Sequence, residues 1–274
     1  MVNIFGYNRK TKEEDDKILA AVKRHHDFIA EQGYFVVMTS LIGSQNYDLD
    51  YEESDIDTFS FIFPSLEELA RADPPEAGTF VGIGDGHCNY KDIRCALNLL
   101  KSTSPNSVEY FVSKYKIYNP KFEALLKEYL ENNDKMWHMA HCNYEHMLSG
   151  IAGMSHQLTT RNMPAGYRFS HALRLISMYH HFINSHNASA VLDMKMDGSR
   201  DLALDAKRDK TTLHIDEYNS KCEEISEFLD MLKNKFVLTE EHRKIQTRGN
   251  TLIDELQKRL TKQYLTEIKQ WTLN

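Results

Sequence analysis

Asp55 and Asp57 stand two residues apart at the head of the alternating apolar run Thr58-Phe59-Ser60-Phe61-Ile62-Phe63, and Asp55 lies eleven residues after Ser44 of a Gly43-Ser44 pair. The alternation predicts a strand, and side chains two apart on a strand point to one face. Two neighbouring carboxylates repel unless a cation lies between them; hard oxygen ligands of this kind suit Mg²⁺ that also holds substrate phosphates. Glycine lets a backbone approach a ligand closely, and the N–H groups of a Gly-Ser turn, with the Ser44 hydroxyl, form a cradle for an anionic phosphate. Metal on one side and phosphate on the other describe a nucleotide site. Taken singly, the turn reads as an ordinary loop and the acids as solvated neighbours of Asp48, Asp50, Glu52 and Glu53. Their joint spacing, between the strand-like runs 34–41 and 58–63, carries the functional reading.

The string Gly43-Ser44 followed by Ser54-Asp55-Ile56-Asp57 resembles the signature of the DNA polymerase beta-like nucleotidyltransferase superfamily. Tyr47 and the long helical second half are similar to a bacterial and phage group of predicted nucleotidyltransferases within it. The likeness covers roughly the first 115 residues, judged by motif order. Asp48 departs from that group, which has glycine after the tyrosine. The resemblance implies a third carboxylate on a neighbouring strand. Residues 79–83, a Gly84-Asp85-Gly86 turn and residues 87–94 read as a hairpin, and Asp92 near its end stands where that acid is expected. An Asp before a helix is also a routine N-terminal cap.

The implied reaction is two-metal nucleotidyl transfer. Asp55 and Asp57 hold both Mg²⁺ ions, with Mn²⁺ as a substitute, Asp92 completes the ion that activates an acceptor hydroxyl, and Gly43 and Ser44 hold the nucleoside triphosphate. The acceptor stays open among an RNA end, a protein side chain and a small hydroxyl compound. Two alternatives stand beside this reading: a catalytically silent nucleotide sensor or RNA-binding module of the same fold, which becomes the better reading if Asp92 points into solvent or caps the following helix from the opposite face of the sheet, and a toxin-like transferase that modifies protein or tRNA.

The elements that must position these residues read as an α+β fold, a small mixed sheet backed by helices and followed by an all-helical region, divided as 1–117 and 118–274. A capping box at Thr11-Lys12-Glu13-Glu14 opens a helix to about Gln32, and a second, Ser65-Leu66-Glu67-Glu68, opens another. From residue 94 the three- and four-residue apolar spacing predicts helices, among them 120–132, 135–158, 167–185, 215–236 and 239–271. On the 167–185 helix, Arg168, His171 and Arg174 lie on a polar side and are candidates to reach the triphosphate; a solvated face is the other reading. His138/Cys142, His141/Glu145 and Cys142/His146 stand four apart but lack a further ligand at an established spacing, so they read as core or interface residues. Glu109 reads as structural. Gly82, Gly84 and Gly86 fall in a hairpin and are no dinucleotide fingerprint.

With 274 residues, 41% of them hydrophobic, the chain is long enough for a sizeable core. It shows no apolar run of membrane-spanning length and no signal-peptide pattern, from which a cytoplasmic protein is expected. Four scattered cysteines suggest neither a disulfide framework nor a zinc knuckle. Residues 1–100 carry 18 acids against 9 Lys and Arg, whereas residues 101–274 carry 22 against 24. The acidic part suits metal and the near-neutral part suits phosphate. A long nonspecific nucleic-acid track is not indicated, since it would need a concentrated basic face, while a short or structured RNA remains a candidate partner.

Overall fold

The structure, a computed structural model, describes residues 10–50, 54–71, 77–84, 86–160, 162–194, 199–208 and 214–271. Glu52, Glu53 and Asp85 lie outside the described residues.

The chain opens with α1 (Lys12–Glu31), capped by Thr11 and Glu14 in the predicted reciprocal box. A sheet follows: β1 (Phe35–Ile42), β2 (Asp57–Phe63), β3 (Ala77–Ile83), β4 (Gly86–Asp92) and β5 (Lys116–Tyr118), in the spatial order β3-β4-β2-β1-β5. The β2·β4 pair is parallel and the other pairs are antiparallel. The short helix α2 (Leu66–Arg71) bears the second capping box, with Ser65 and Glu68 bonded to each other's backbone N–H. The remaining helices are α3 (Ile93–Ser102), α4 (Pro105–Val112), α5 (Glu123–Leu130), α6 (Asn133–Ala140), α7 (Tyr144–Thr160), α8 (Ala165–Asn184), α9 (Ser199–Lys207), α10 (Ile215–Lys235) and α11 (Glu240–Trp271). The α+β reading holds. No helix among the described residues is long and apolar enough to cross a membrane.

The period-two side-chain alternation of the strands divides the sheet between two cores. Val37, Phe59, Phe61 and Phe63 face the large cluster that runs through α3 to α8, α10 and α11. Val36, Ile62 and Cys88 face the other way, where Ile29 of α1 joins them. The helical region therefore packs directly on the sheet. The division at 117/118 passes through β5, which pairs with β1, and Tyr264 on α11 stacks on Phe63 with ring centroids 4.1 Å apart. On the α1 side a buried polar seam stitches the layers together. His25 bonds Thr58 Oγ1 and the Ile83 carbonyl, each at 2.8 Å, while Thr39 and Ser60 share a 2.7 Å hydroxyl bond.

Two expectations change. The helix read across 135–158 is broken into α6 and α7 at residues 141–143. His141 leaves helical geometry at the α6 end, and the Asn143 carboxamide caps the next turn by accepting from the His146 N–H at 3.0 Å. The histidine and cysteine pairs spaced four apart across this break therefore share no continuous helix face. Helix α9 was not anticipated, and it carries a lysine to the site described below. Its seat on α8 depends on Gly166, where an added β-carbon would lie 2.1 Å from the Ala206 carbonyl oxygen. Gly166→Ala is expected to push α9 off α8 and destabilise the fold by about 1–3 kcal/mol, the usual cost of overpacking. Thermal unfolding checks this, and an unchanged Tm would show that the two helices separate at no cost.

Candidate functional site

Strand register builds the site. β1 and β2 are antiparallel, with Ile42 opposite Asp57, so the residues that leave β1, Gly43 and Ser44, abut those that enter β2. Gly43 adopts φ 85°, in the region that favours glycine, and starts a 3₁₀ turn over Ser44–Tyr47. Asp48 ends the turn in the left-handed region at φ 52°, the conformation that glycine reaches without steric cost. Lys10 offsets that strain by pairing with Asp48 at 3.4 Å and with Asp50.

A cleft of about 220 Å³ forms here, lined by Gly43, Ser44, Tyr47, Ser54, Asp55 and Asp57 on one side and by Tyr167, Ser170, His171, Arg174 and Lys207 on the other. Asp55 is exposed and Asp57 half-buried. Arg174 is only 8% exposed, its guanidinium 4.6 Å over the Tyr47 ring. Its Nε has no hydrogen-bond partner among the described residues. A buried guanidinium with an unmet donor at the wall of a cleft is a seat for an anion. Lys207 donates to the Leu49 carbonyl at 2.9 Å and lies 5.4 Å from the Tyr167 ring centroid. Burial lowers its ammonium to about 8, against the opposing pull of Asp50. Sequence reasoning missed Lys207, because no motif or spacing sets it apart from the other basic residues of the second half.

Three expected residues have other duties. Asp92 does not join Asp55 and Asp57. In the parallel β2·β4 pair Thr58 faces Cys88 and Ile62 faces Asp92, which puts Asp92 five residues along the strand from Asp57, about 16 Å at the usual rise. There it is fully buried, caps α3 by accepting from the Arg94 N–H at 2.8 Å, and forms a forked ion pair with the Arg94 guanidinium. Continued from Thr58 and Cys88, the register puts His87 beside Asp57, and the His87 backbone N–H donates to Asp57 Oδ1 at 3.0 Å. Arg168 is likewise absorbed, donating to the Leu158 and Thr159 carbonyls and, at 2.6 Å, to Asn219 Oδ1. It ties α7, α8 and α10 together and does not line the cleft. The Gly43 N–H, expected to point at phosphate, donates at 2.6 Å to Glu109 Oε1. Of that turn, Ser44 remains for a ligand.

Glu109 is the buttress behind the turn. It is buried, accepts from Asn46 Nδ2 at 3.1 Å as well as from Gly43, and burial raises its carboxyl while Arg174 pulls it down. Asn46 in turn donates to the Leu41 carbonyl and accepts from Ser113 Oγ, both at 2.8 Å. Among the described residues no group of three or more His, Cys, Asp or Glu side chains is arranged to hold a metal ion. Asp55 and Asp57 alone fit one Mg²⁺ that keeps waters and takes its remaining ligands from substrate phosphates.

No family model matches the sequence, and no curated protein does either.

Glu109→Ala would leave the Gly43 N–H unpaired in the interior and remove one of the two acceptors of the Asn46 amide nitrogen. A loss of about 1–3 kcal/mol is expected, read as a lower urea midpoint. A midpoint equal to that of the parent chain would remove Glu109 as the support of the turn.

Proposed function

We propose that the chain is a Mg²⁺-dependent nucleotidyltransferase of the DNA polymerase beta-like kind, moving a nucleoside monophosphate from a nucleoside triphosphate to a hydroxyl acceptor. The observation that carries this reading is one cleft with two carboxylates on one wall and two cationic side chains, the buried Arg174 and the half-buried Lys207, on the other. That division of charge complements a metal–triphosphate, which presents a cation to one wall and anionic oxygens to the other. Asp55 and Asp57 would hold the ion, which supplies charge neutralisation at the reacting phosphate. Arg174 and Lys207 bind the phosphate oxygens opposite, and the Ser44 hydroxyl donates to one of them. His171, its ring centroid 4.6 Å from that of Tyr167, closes the wall beside them. Such chemistry requires chiefly positioning and electrostatic stabilisation, which a rigid turn and fixed cations supply.

The two-metal form loses its third ligand with Asp92, and the proposal is accordingly for one protein-held ion. The displaced Asp92 is also the observation that favours a second reading, a module that binds the nucleotide without turnover. Against it stands the exposed Asp55, which lines a further open groove as well as the cleft. A sensor has no need of an acceptor path.

Incubation with each labelled nucleoside triphosphate, Mg²⁺ and total RNA or cell lysate tests the proposal. Label is expected in an acceptor fraction, and nucleotide binding without any labelled acceptor would establish the silent reading. Asp55→Asn and Asp57→Asn are each expected to abolish transfer with the fold intact, since neutralising one acid relieves repulsion; near-normal turnover at saturating Mg²⁺ in either variant would falsify the metal assignment. Ser44→Ala should weaken triphosphate binding by about 0.5–1.5 kcal/mol, one hydrogen bond's worth. Because the Lys207 ammonium is lowered to about 8, it is charged below that pH and neutral above it. Triphosphate affinity should therefore fall as pH rises through about 8, and Lys207→Arg, which stays charged, should abolish the fall. A titration curve that is identical in both proteins would take Lys207 out of the phosphate site.

A further inference from the structure

Asp55 and Ser54 line two cavities. Beyond the triphosphate cleft lies an open groove of about 890 Å³ between the first half of α1 and the β3–β4 hairpin, bordered by Lys10, Lys17, Gly84, Gly86, His87 and Arg208 among others. Among the described residues its apolar lining is confined to Ile18 and Ile56. Lys10 is committed to Asp48 and Asp50, and Glu14 is held in the α1 capping box. Lys17 and Arg208 are exposed and have no ion-pair partner among the described residues. Arg24, also exposed, lies over the hairpin, with Nη2 3.5 Å from where a Gly84 β-carbon would stand. Lys17 and Arg24 are seven residues apart on α1 and so share a face, separated by about 10 Å along the axis.

Resting on the nucleotidyl-transfer reading above, we infer that the acceptor is the hydroxyl-bearing end of a single-stranded nucleic acid lying in this groove, with Arg24, Lys17 and Arg208 on its phosphates. The groove is more open and more polar than the site of a small hydroxyl compound, which is enclosed and mostly apolar. Its described lining lacks the apolar and aromatic core on which a protein acceptor would dock. Glycines at the hairpin let a sugar–phosphate backbone come close, and the absence of a Phe, Tyr or Trp platform among the described lining residues points to recognition by phosphate rather than by base stacking. The chain's net charge of −7 limits the contact to a short segment next to the reacting end. In the reaction the terminal oxygen bonds to the α-phosphorus as the bridging bond between the α-phosphorus and the β-phosphate breaks. Pyrophosphate leaves with those electrons, and the hydroxyl proton passes to water in the open groove.

The test uses a 5′-labelled single-stranded RNA oligonucleotide with a free 3′-hydroxyl, a nucleoside triphosphate and Mg²⁺. The full chain is expected to lengthen the RNA and to leave a 3′-phosphorylated version unchanged. Lys17→Glu with Arg24→Glu should raise the KM for the oligonucleotide about tenfold, leave the KM for the triphosphate as it was, and reduce the salt dependence by about one log unit per charge removed. In the incubation with labelled triphosphate, total RNA or cell lysate, label on protein or on a small molecule in place of RNA overturns the acceptor assignment and leaves transfer standing. No label in any fraction overturns transfer itself. Binding is read separately by the anisotropy of a fluorescent oligonucleotide on the Asp57→Asn protein. Weaker binding after the charge reversals supports the groove, and binding indifferent to them overturns it.

Discussion

The antiparallel pairing of β1 with β2 is the constraint on which the site depends. Ladder hydrogen bonds hold Ile42 opposite Asp57, so whatever leaves β1 must meet whatever enters β2. A one-residue slip would turn Asp57 and the three phenylalanines behind it to the other face. The burial of Phe59, Phe61 and Phe63 in the large core resists that slip. The same apolar surface that stabilises the sheet thus aims a carboxylate. Glu109 adds the second restraint by gripping the backbone of the turn from behind, where a water-filled gap would have left it loose.

Charge is divided between the layers. The head of the central strand β2 supplies carboxylates and the helices supply cations, and neither set neutralises the other fully. Arg174 illustrates the balance, with an aromatic ring beneath it, the Glu109 carboxylate near it and an unmet donor at Nε. Holding a cation partly unpaired has an energetic cost, which the binding of an anionic ligand would relieve. Arg94 shows the contrasting case, since its guanidinium is spent on the forked pair with Asp92.

Much of this was legible beforehand where local physics rules. The α1 and α2 caps, the strand alternation of residues 58–63 and the positive backbone angle at Gly43 each follow from a few adjacent residues. Asp48, whose presence left the local loop conformation open, adopts a left-handed backbone. Asp92 was misplaced because a strand's sequence does not disclose its register: the parallel alignment of β4 on β2 decides which end of β4 meets Asp57, and that alignment is a long-range property. Arg168 and Arg174 look alike on a helical projection. Only the packing of α7 and α10 separates a pinned arginine from one that faces the cleft. Lys207 lay beyond reach because its role depends on the close contact of two backbones at Gly166 and Ala206.

The wide separation in sequence of the two charged walls bears on the order in which the molecule acquires its properties during synthesis. Ser44, Asp55 and Asp57 emerge from the ribosome long before Arg174 and Lys207, and the aromatic lid on Phe63, Tyr264, comes later still, its hydroxyl anchored to the Pro64 carbonyl. A nascent or prematurely terminated chain therefore displays carboxylates without their cationic counterpart, and with one face of its sheet bare. On the proposed reading such fragments would be inert toward nucleotides, and their bare sheet face prone to capture by chaperones, so that competence would arrive in a single late step.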